Sequence, residues 1–401
     1  MNKFLQELIK IPSISPKDLG CFDLIEDRLQ KHNFDCKRID YLNVENLYAT
    51  YGDKGKLFCF LGHTDVVPTG PVEEWTHPPF SAHIEGNMMY GRGTADMKGS
   101  IAAFLDSLDE FFKEKIELNY RIAILLTSNE EGKKSDGFID KIVEDMIANN
   151  DEIDFCLVGE PTSYKTLGDS IRIGRRGSLS GDLVVHGKQG HIAYPENVDN
   201  PIFSSSDLIV ELKNKIWDNG NAIFQPTSFQ ISNIQSGTGA KNVVPGHLDM
   251  SFNFRYSPES SAESLISEFE EIMSKLNIKH EVVWTKSGDP YHTKRNLLKD
   301  VVSNSVKKFT GTAPDMNAKG GTSDGRFIAK MDTEIVELGP SNETIHQIDE
   351  CVNLDELVVL ANRLLSRIDS EPDLSECCRD LFQREFSVEK AVQQIVAAVS
   401  H

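Results

Sequence analysis

His63, Asp65, Asp96, Glu130, Glu131, Glu160 and His346 are the residues of this chain whose types could act together chemically. Imidazole nitrogen and carboxylate oxygen are both good zinc ligands, and a carboxylate can bridge two ions. A zinc pair that holds a hydroxide and polarises a carbonyl is equipped for amide hydrolysis. No member of the set is specific alone; the ordered set is. His63 and Asp65 share parity in Leu61-Gly62-His63-Thr64-Asp65 and would point to one side of a strand end. The imidazole could then ligate metal while Asp65 holds its ring and fixes its tautomer. Taken alone, His63 reads as a hydrogen-bonded loop histidine.

The stretch from Gly91 to Gly99, GRGTADMKG, lacks the spacing of a phosphate loop. Its glycines would let the backbone approach a site closely and leave Asp96 to bridge two metals. By itself Asp96 reads equally as a helix N-cap. Glu130 and Glu131 are adjacent and so point in different directions. One could ligate metal while its neighbour takes a proton from bound water; an isolated Glu-Glu would be a solvated loop. Glu160, in Gly159-Glu160-Pro161-Thr162, and His346, in Thr344-Ile345-His346-Gln347, acquire meaning only from the set.

The elements that must position these residues alternate between strand and helix. Amphipathic helices are predicted at Phe4–Ile9 and Phe22–Leu29, and strands near Asn46–Thr50 and Leu57–Leu61. A helix at Ile101–Phe112, a buried strand at Tyr120–Leu126, a helix at Phe138–Ile147 and a strand at Phe155–Val158 follow. This pattern predicts an α/β sheet covered on both faces, with ligands outside the strands' carboxyl ends. His63, Glu130 and Glu160 all follow such ends.

The pattern changes near Gly174-Arg175-Arg176-Gly177. Alternating strands at Leu183–Val185, Ser228–Ile234 and Leu248–Arg255, with helices at Pro201–Lys215 and Ala262–Leu276, predict a small inserted antiparallel sheet. The α/β pattern resumes with a helix from about Arg295 to Phe309, a strand at Glu334–Leu338 and a helix from Leu354 to about Ile368. The first domain is therefore expected to be discontinuous, over 1–176 and 291–369, with an inserted domain at 177–290. Ser370–Ser375 reads as a linker, and a last helix capped by Ser387 is predicted in the extension 370–401.

A 401-residue chain with 39% hydrophobic and 26% charged residues can bury a large core. A formal net charge of -20 without a basic block argues against nucleic-acid and anionic-membrane partners. Seven scattered cysteines without a CxxC pair indicate neither a disulfide framework nor a thiolate zinc site. No signal-peptide h-region is visible near the N-terminus, and a cytoplasmic location is expected.

The motifs GHTDVVPTG, YGRGTADMKGS, TSNEEG, VGEPTS and TIHQIDE resemble the dizinc aminoacylase/carboxypeptidase family of metallohydrolases, over about residues 1–368. The segments IGRRGSLSGDLVVHGKQGHIAYPENVDNPI and GTGAKNVVPGHLDMSFNFRYSPE are similar to its bacterial desuccinylase branch. The resemblance implies an α/β catalytic domain, its mixed sheet flanked by helices, with an inserted α+β lid that forms a homodimer. It implies one Zn²⁺ on His63, Asp96 and Glu160 and another on Asp96, Glu131 and His346, with Co²⁺ or Mn²⁺ as possible substitutes. Glu130 is then general base and acid, and Asp65 the partner of His63. His191 would reach the partner subunit's site and stabilise an oxyanion. Arg175, Ser178, Tyr194, Asn242, Arg255, Thr322 and Asn342 match substrate-contacting positions. Arg175 and Arg255 suit the carboxylates of a succinylated diamino acid, although either could equally form an ordinary salt bridge.

The implied reaction is hydrolysis of the succinyl amide of N-succinyl-L,L-2,6-diaminopimelate, in lysine and cell-wall diaminopimelate biosynthesis. The rivals are another N-acyl amino-acid deacylase, such as an acetylornithine deacetylase, a carboxypeptidase, and, from a different class, a non-catalytic metal-containing binding protein. Asn129 departs from the pattern, standing where many relatives carry an acid. The segment after Ile368 has no counterpart in the typical enzyme.

Overall fold

Strand Leu57–His63 alternates its side chains between two apolar layers, which fixes its place inside a sheet covered on both faces. Leu57, Cys59 and Leu61 enter one core with Ile139, Ile142, Val143 and Met146 of helix Phe138–Ala148. Phe60 enters the opposite core with Ile101, Leu105 and Leu108 of helix Gly99–Lys113 and with Phe22 and Ile25 of helix Cys21–Leu29. Strand Arg121–Thr127 divides in the same way, Ala123 and Leu125 to one side and Ile122, Ile124 and Leu126 to the other. The computed structural model describes residues 2–113, 120–132 and 138–363. The predicted linker and capped helix at 370–401 lie outside the described residues.

The main sheet has eight strands in the order Asp35–Arg38, Asn46–Tyr51, Arg121–Thr127, Leu57–His63, Phe155–Val158, Glu334–Glu337, Ser170–Arg172, Asp315–Asn317. Its four central strands, from Arg121–Thr127 to Glu334–Glu337, are mutually parallel, and the sheet as a whole is mixed. This is the α/β class expected from the alternation of elements. His63 and Thr127 are register partners at the carboxyl ends of adjacent strands, so the loops leaving them start side by side.

Residues 177–288 build a separate antiparallel sheet in the order Ser228–Ser236, His247–Tyr256, Gly177–His186, His280–Gly288. The last of these strands was not legible in the sequence. Leu183, Leu248, Met250, Phe252 and Phe254 line its covered face, against Leu208 and Leu212 of helix Pro201–Asn214 and Leu265 and Phe269 of helix Ala262–Lys275. Asn200 and Pro201 start the first helix, the Asn200 side chain accepting from the Ile202 N–H. Ser261 and Ser264 close a reciprocal capping box at the start of the second. The chain crosses between the two sheets twice, at Gly174–Arg175 and Tyr291–His292, and the two crossings pair with each other. Among the described residues no helix is long and apolar enough to cross a membrane.

Phe252 is 2% exposed and touches the rings of Phe229, Phe269 and Trp284. Phe252→Ala should destabilise this unit by about 3–5 kcal/mol. Urea unfolding read by tryptophan fluorescence tests this, because Trp217 and Trp284 both belong to the same core. An unchanged midpoint would show that the aromatic cluster does not hold the second sheet together.

Candidate metal centre and active site

The carboxyl ends of the central strands deliver the side chains. His63 is the last residue of its strand and Glu160 follows Val158 by two residues, while Glu130 and Glu131 lie in the loop after Thr127. Asp96 arrives from the glycine-rich segment ahead of helix Gly99–Lys113. It can come this close because strand-end glycines leave room: the buried Met97 side chain lies over Gly62 and Gly159, where an added Cβ would sit 2.5 Å from Met97 Cε in either case. His346 comes from the loop between Glu334–Glu337 and Cys351–Asn353, with its backbone in the left-handed region at φ 61°.

Asp96 occupies the centre. Its Oδ1 lies 3.1 Å from His63 Nε2 and its Oδ2 3.3 Å from His346 Nε2, one oxygen to each histidine. Glu160 Oε1 is 3.8 Å from His63 Nε2, and Glu131 Oε1 is 2.7 Å from His346 Nε2. Besides a group of His63, Glu130 and Glu131, the potential donor atoms form two groups that share Asp96: His63, Asp96 and Glu160, and Asp96, Glu131 and His346. These are the groupings the family resemblance implies. Imidazole and carboxylate donors on either side of a bridging carboxylate fit a pair of zinc-like cations.

The electrostatics favour the same reading. Burial alone would depress the His63 pKa, yet Asp96, Asp65 and Glu160 hold it well above the usual histidine value. Hydrogen bonds to Asp96 and Glu131 raise His346 to about 10. Burial next to other acids drives Glu130 and Glu160 well above the usual carboxylate range. The site therefore concentrates negative charge that cations would balance. The Glu130 carboxylate makes no hydrogen bond among the described residues, although its nearest oxygen shares the neighbourhood of His63 and Glu131.

Asp65 holds the site together differently from the sequence expectation. His63 Nδ1 donates to the Asp65 backbone carbonyl at 2.8 Å, while the Asp65 carboxylate stands 3.6 Å away. The tautomer is still fixed, since a carbonyl can only accept, and Nε2 is left free to ligate. The carboxylate instead accepts the N–H groups of Glu130 at 3.1 Å and Glu131 at 3.0 Å, together with the Ser15 hydroxyl. It thereby orients the loop that carries both glutamates.

Two residues to which the motif reading gave no role are structural keys. Arg92 and Glu350 form a buried ion pair with Nη1 2.6 Å from Oε2. Glu350 Oε1 also accepts the N–H groups of Gly93, Ala95 and Asp96, at 3.1, 3.0 and 3.2 Å. Arg92 donates to the carbonyls of Gln347 and His346. The pair locks the Asp96 loop to the His346 loop. The available sequence signal was an acidic residue four positions beyond His346, which only the fold connects to Arg92.

The residues matched to substrate contacts lie in different surroundings. Arg175 is buried with its Nε 3.0 and 2.9 Å from the two oxygens of Glu337, and its Nη1 donates to the carbonyls of Lys319 and Gly321. Tyr291 and Ser323 complete the shell around Glu337. The expected carboxylate clamp is thus an ion pair at the crossing between the sheets, its charge already neutralised inside the protein. Arg255 pairs with Ser178 across adjacent strands and, among the described residues, has no acidic partner. Burial, then the neighbouring Arg176 and Arg175, lower its pKa, so an anionic ligand would be welcome there. Thr322 and Asn342 are half-buried.

His191, Tyr194 and Asn242 lie elsewhere, exposed. His191 belongs to the two-stranded element Gly190–His191/Val243–Val244, and the Asn242 carbonyl accepts the Ile192 N–H there. His191 Nδ1 accepts the Ala193 N–H at 3.1 Å, which puts the ring proton on Nε2. Within one chain, no hydrogen bond joins these residues to the Asp96 cluster among the described residues.

With this geometry in view, residues 59–369 match peptidase family M20/M25/M40. The chain belongs to that family. It is 49% identical over 354 residues to a succinyl-diaminopimelate desuccinylase from Hydrogenovibrio crunogenus, covering 88% of this chain and 93% of the relative. The fold is similar to an M20 family metallo-carboxypeptidase from Sulfolobus solfataricus (TM-score 0.76, 19% identity, 90% of this chain and 96% of that one). It is also similar to a dinuclear metal-binding M20 peptidase from Bacillus subtilis (TM-score 0.66, 15% identity, 90% and 95% covered). The family is thus one with dinuclear metal-binding members, and the groups centred on Asp96 are candidate metal-binding residues of this chain.

Glu350→Gln should weaken metal retention by about 10–100-fold, because the loop presenting Asp96 loses the charge that orders its N–H groups. Competition with a chromogenic chelator measures this. Retention equal to wild type would show that the Arg92–Glu350 pair is dispensable for the site.

Proposed function

We propose that this chain hydrolyses the succinyl amide of N-succinyl-L,L-2,6-diaminopimelate, releasing succinate and L,L-2,6-diaminopimelate. The carrying observation is Asp96, whose two oxygens face His63 and His346 separately while the Glu130 carboxylate stands beside them with no hydrogen bond among the described residues. The relatives named for this reaction cover most of the chain at 44–50% identity and support the choice of acyl group. In this reading the enzyme serves lysine and cell-wall diaminopimelate biosynthesis in the cytoplasm.

His63, Asp96 and Glu160 would hold one Zn²⁺ and Asp96, Glu131 and His346 the other, with Co²⁺ or Mn²⁺ as possible substitutes. When bound, such a pair supplies a strongly acidified water and polarises the amide carbonyl. Glu130 takes the proton from the attacking water and returns it to the departing amine. Burial and the neighbouring acids raise its proton affinity, which suits a group that must hold a proton between two steps. Metal ligation of Glu131 and Glu160 would moderate that effect. Asp65 keeps Glu130 and Glu131 aligned through their backbone N–H groups.

Residues 177–290 are proposed to act as a lid and dimerisation unit. The partner subunit's His191 would then approach the reacting carbonyl, with Nε2–H as the donor that stabilises its oxyanion. Exposed Ile202, Phe203 and Val210 on helix Pro201–Asn214 supply an apolar face for such pairing. Arg255, with Ser178 beside it, is assigned the terminal carboxylate of the succinyl group. Tyr194, Asn242, Thr322 and Asn342 would complete the substrate contacts. Arg175 is assigned to Glu337 and the geometry of the crossing.

Cleavage of N-succinyl-L,L-diaminopimelate, N-acetylornithine and a dipeptide, followed by amide absorbance near 225 nm with metal and with chelator, tests the assignment. Metal-dependent loss of the succinyl compound is expected, with the other two spared. Preference for acetylornithine or the dipeptide would overturn the substrate. Glu130→Gln should keep its metal and lose turnover by about 10²–10⁴-fold; near-normal turnover in that variant would remove Glu130 from the proton transfer.

A further inference from the structure

Away from Asp96, another group of described residues brings metal-ligating atoms together. His77, His83 and Glu85 each offer one donor atom, and the three atoms lie within 4.8 Å of one another. His83 and Glu85 are two residues apart on strand His83–Glu85 and project to the same side. His77 comes from the preceding turn. Its ring stacks on His83 with centroids 3.7 Å apart, and its Nε2 is 3.9 Å from Glu85 Oε2. Neither imidazole makes a hydrogen bond among the described residues, and the 3.9 Å approach of Glu85 to His77 Nε2 is the one ion-pair contact to their nitrogens there.

We propose that His77, His83 and Glu85 form a separate transition-metal site, with Zn²⁺ the best-suited ion. Two imidazole nitrogens and one carboxylate oxygen are a set that zinc accepts with water in its fourth position. Calcium and magnesium favour all-oxygen sites, which sets the chemical class. Zinc bonds of about 2.0–2.2 Å require donors roughly 3.3 Å apart. His83 and Glu85 are both exposed and can rotate to close that distance. Strand His83–Glu85 pairs with Met88–Tyr90, which pairs in turn with Cys351–Asn353. That hairpin runs directly into Gly91 and Arg92. An ion here would tie the His77 turn to the hairpin flanked by the Asp96 and His346 loops, and its role would be structural.

The test uses the whole protein with its Asp96-centred site already loaded, equilibrated by dialysis against free Zn²⁺ and analysed for metal content. Wild type should bind one more ion per chain than His77→Ala or His83→Ala, while all three keep the same turnover. The difference is read between proteins, so it stands whatever the occupancy of the Asp96-centred site or the identity of the substrate. Zn²⁺ should also shield His77 and His83 of wild type from diethyl pyrocarbonate, read by peptide mass mapping. Equal metal content in wild type and both variants, or unshielded histidines at saturating Zn²⁺, would overturn the site.

Discussion

The buried ion pair between Arg92 and Glu350 is the constraint on which the centre depends. Asp96 and His346 are separated by most of the chain, yet both must hold one geometry to within a fraction of an ångström. Glu350 gathers the N–H groups of Gly93, Ala95 and Asp96 around one oxygen and meets Arg92 with the other, and Arg92 reaches the carbonyls of the His346 loop. Two charges removed from water carry a desolvation penalty of several kcal/mol each. Both Glu350 oxygens and the Nη1 and Nη2 groups of Arg92 find partners, while the buried Arg92 Nε has none among the described residues, and these bonds leave the two loops little freedom.

Asp65 performs the corresponding task on the other side. Its carbonyl sets the protonation of His63 and its carboxylate collects the backbone of Glu130 and Glu131, so one residue aligns a ligand and the proposed base together. The N-terminal segment braces this arrangement. Ser13 donates to the Thr64 carbonyl, Ser15 to the Asp65 carboxylate, and Asp18 accepts the Thr64 hydroxyl. The reacting groups thus rest on fixed strand ends while the 177–288 sheet, joined through the two short crossings, carries the residues assigned to the acyl group and to the partner's site.

The chemistry was legible because it follows strand ends. His63, Glu130, Glu131 and Glu160 sit where apolar strands stop, and periodicity alone placed those stops to within a residue or two. The groupings around Asp96 required the family resemblance, since spacing cannot say which carboxylate meets which histidine. Arg92 and Glu350 lie inside the motifs YGRGTADMKGS and TIHQIDE, but their partnership stayed hidden because it spans more than 250 residues and only the fold joins the two loops. For Arg175 the sequence left a substrate contact and an ordinary salt bridge both open, for a related reason. Guanidinium suits a substrate carboxylate and a protein carboxylate equally, and Glu337, the last residue of strand Glu334–Glu337, is brought to Arg175 only by the fold. Strand His280–Gly288 escaped because its exposed face mixes Glu281, Val283 and Thr285, which blurs the two-residue alternation.

The central claim is that Asp96 is shared by two cations, one on the His63 side and one on the His346 side. Metal content per chain of wild type, His63→Ala and His346→Ala, measured by atomic emission and corrected for the ion that His77→Ala removes, addresses it most directly. The account predicts two ions in wild type and one in each variant, because each substitution empties one side and leaves the other. Two ions retained in either variant, or a single ion in the wild-type protein, would contradict it.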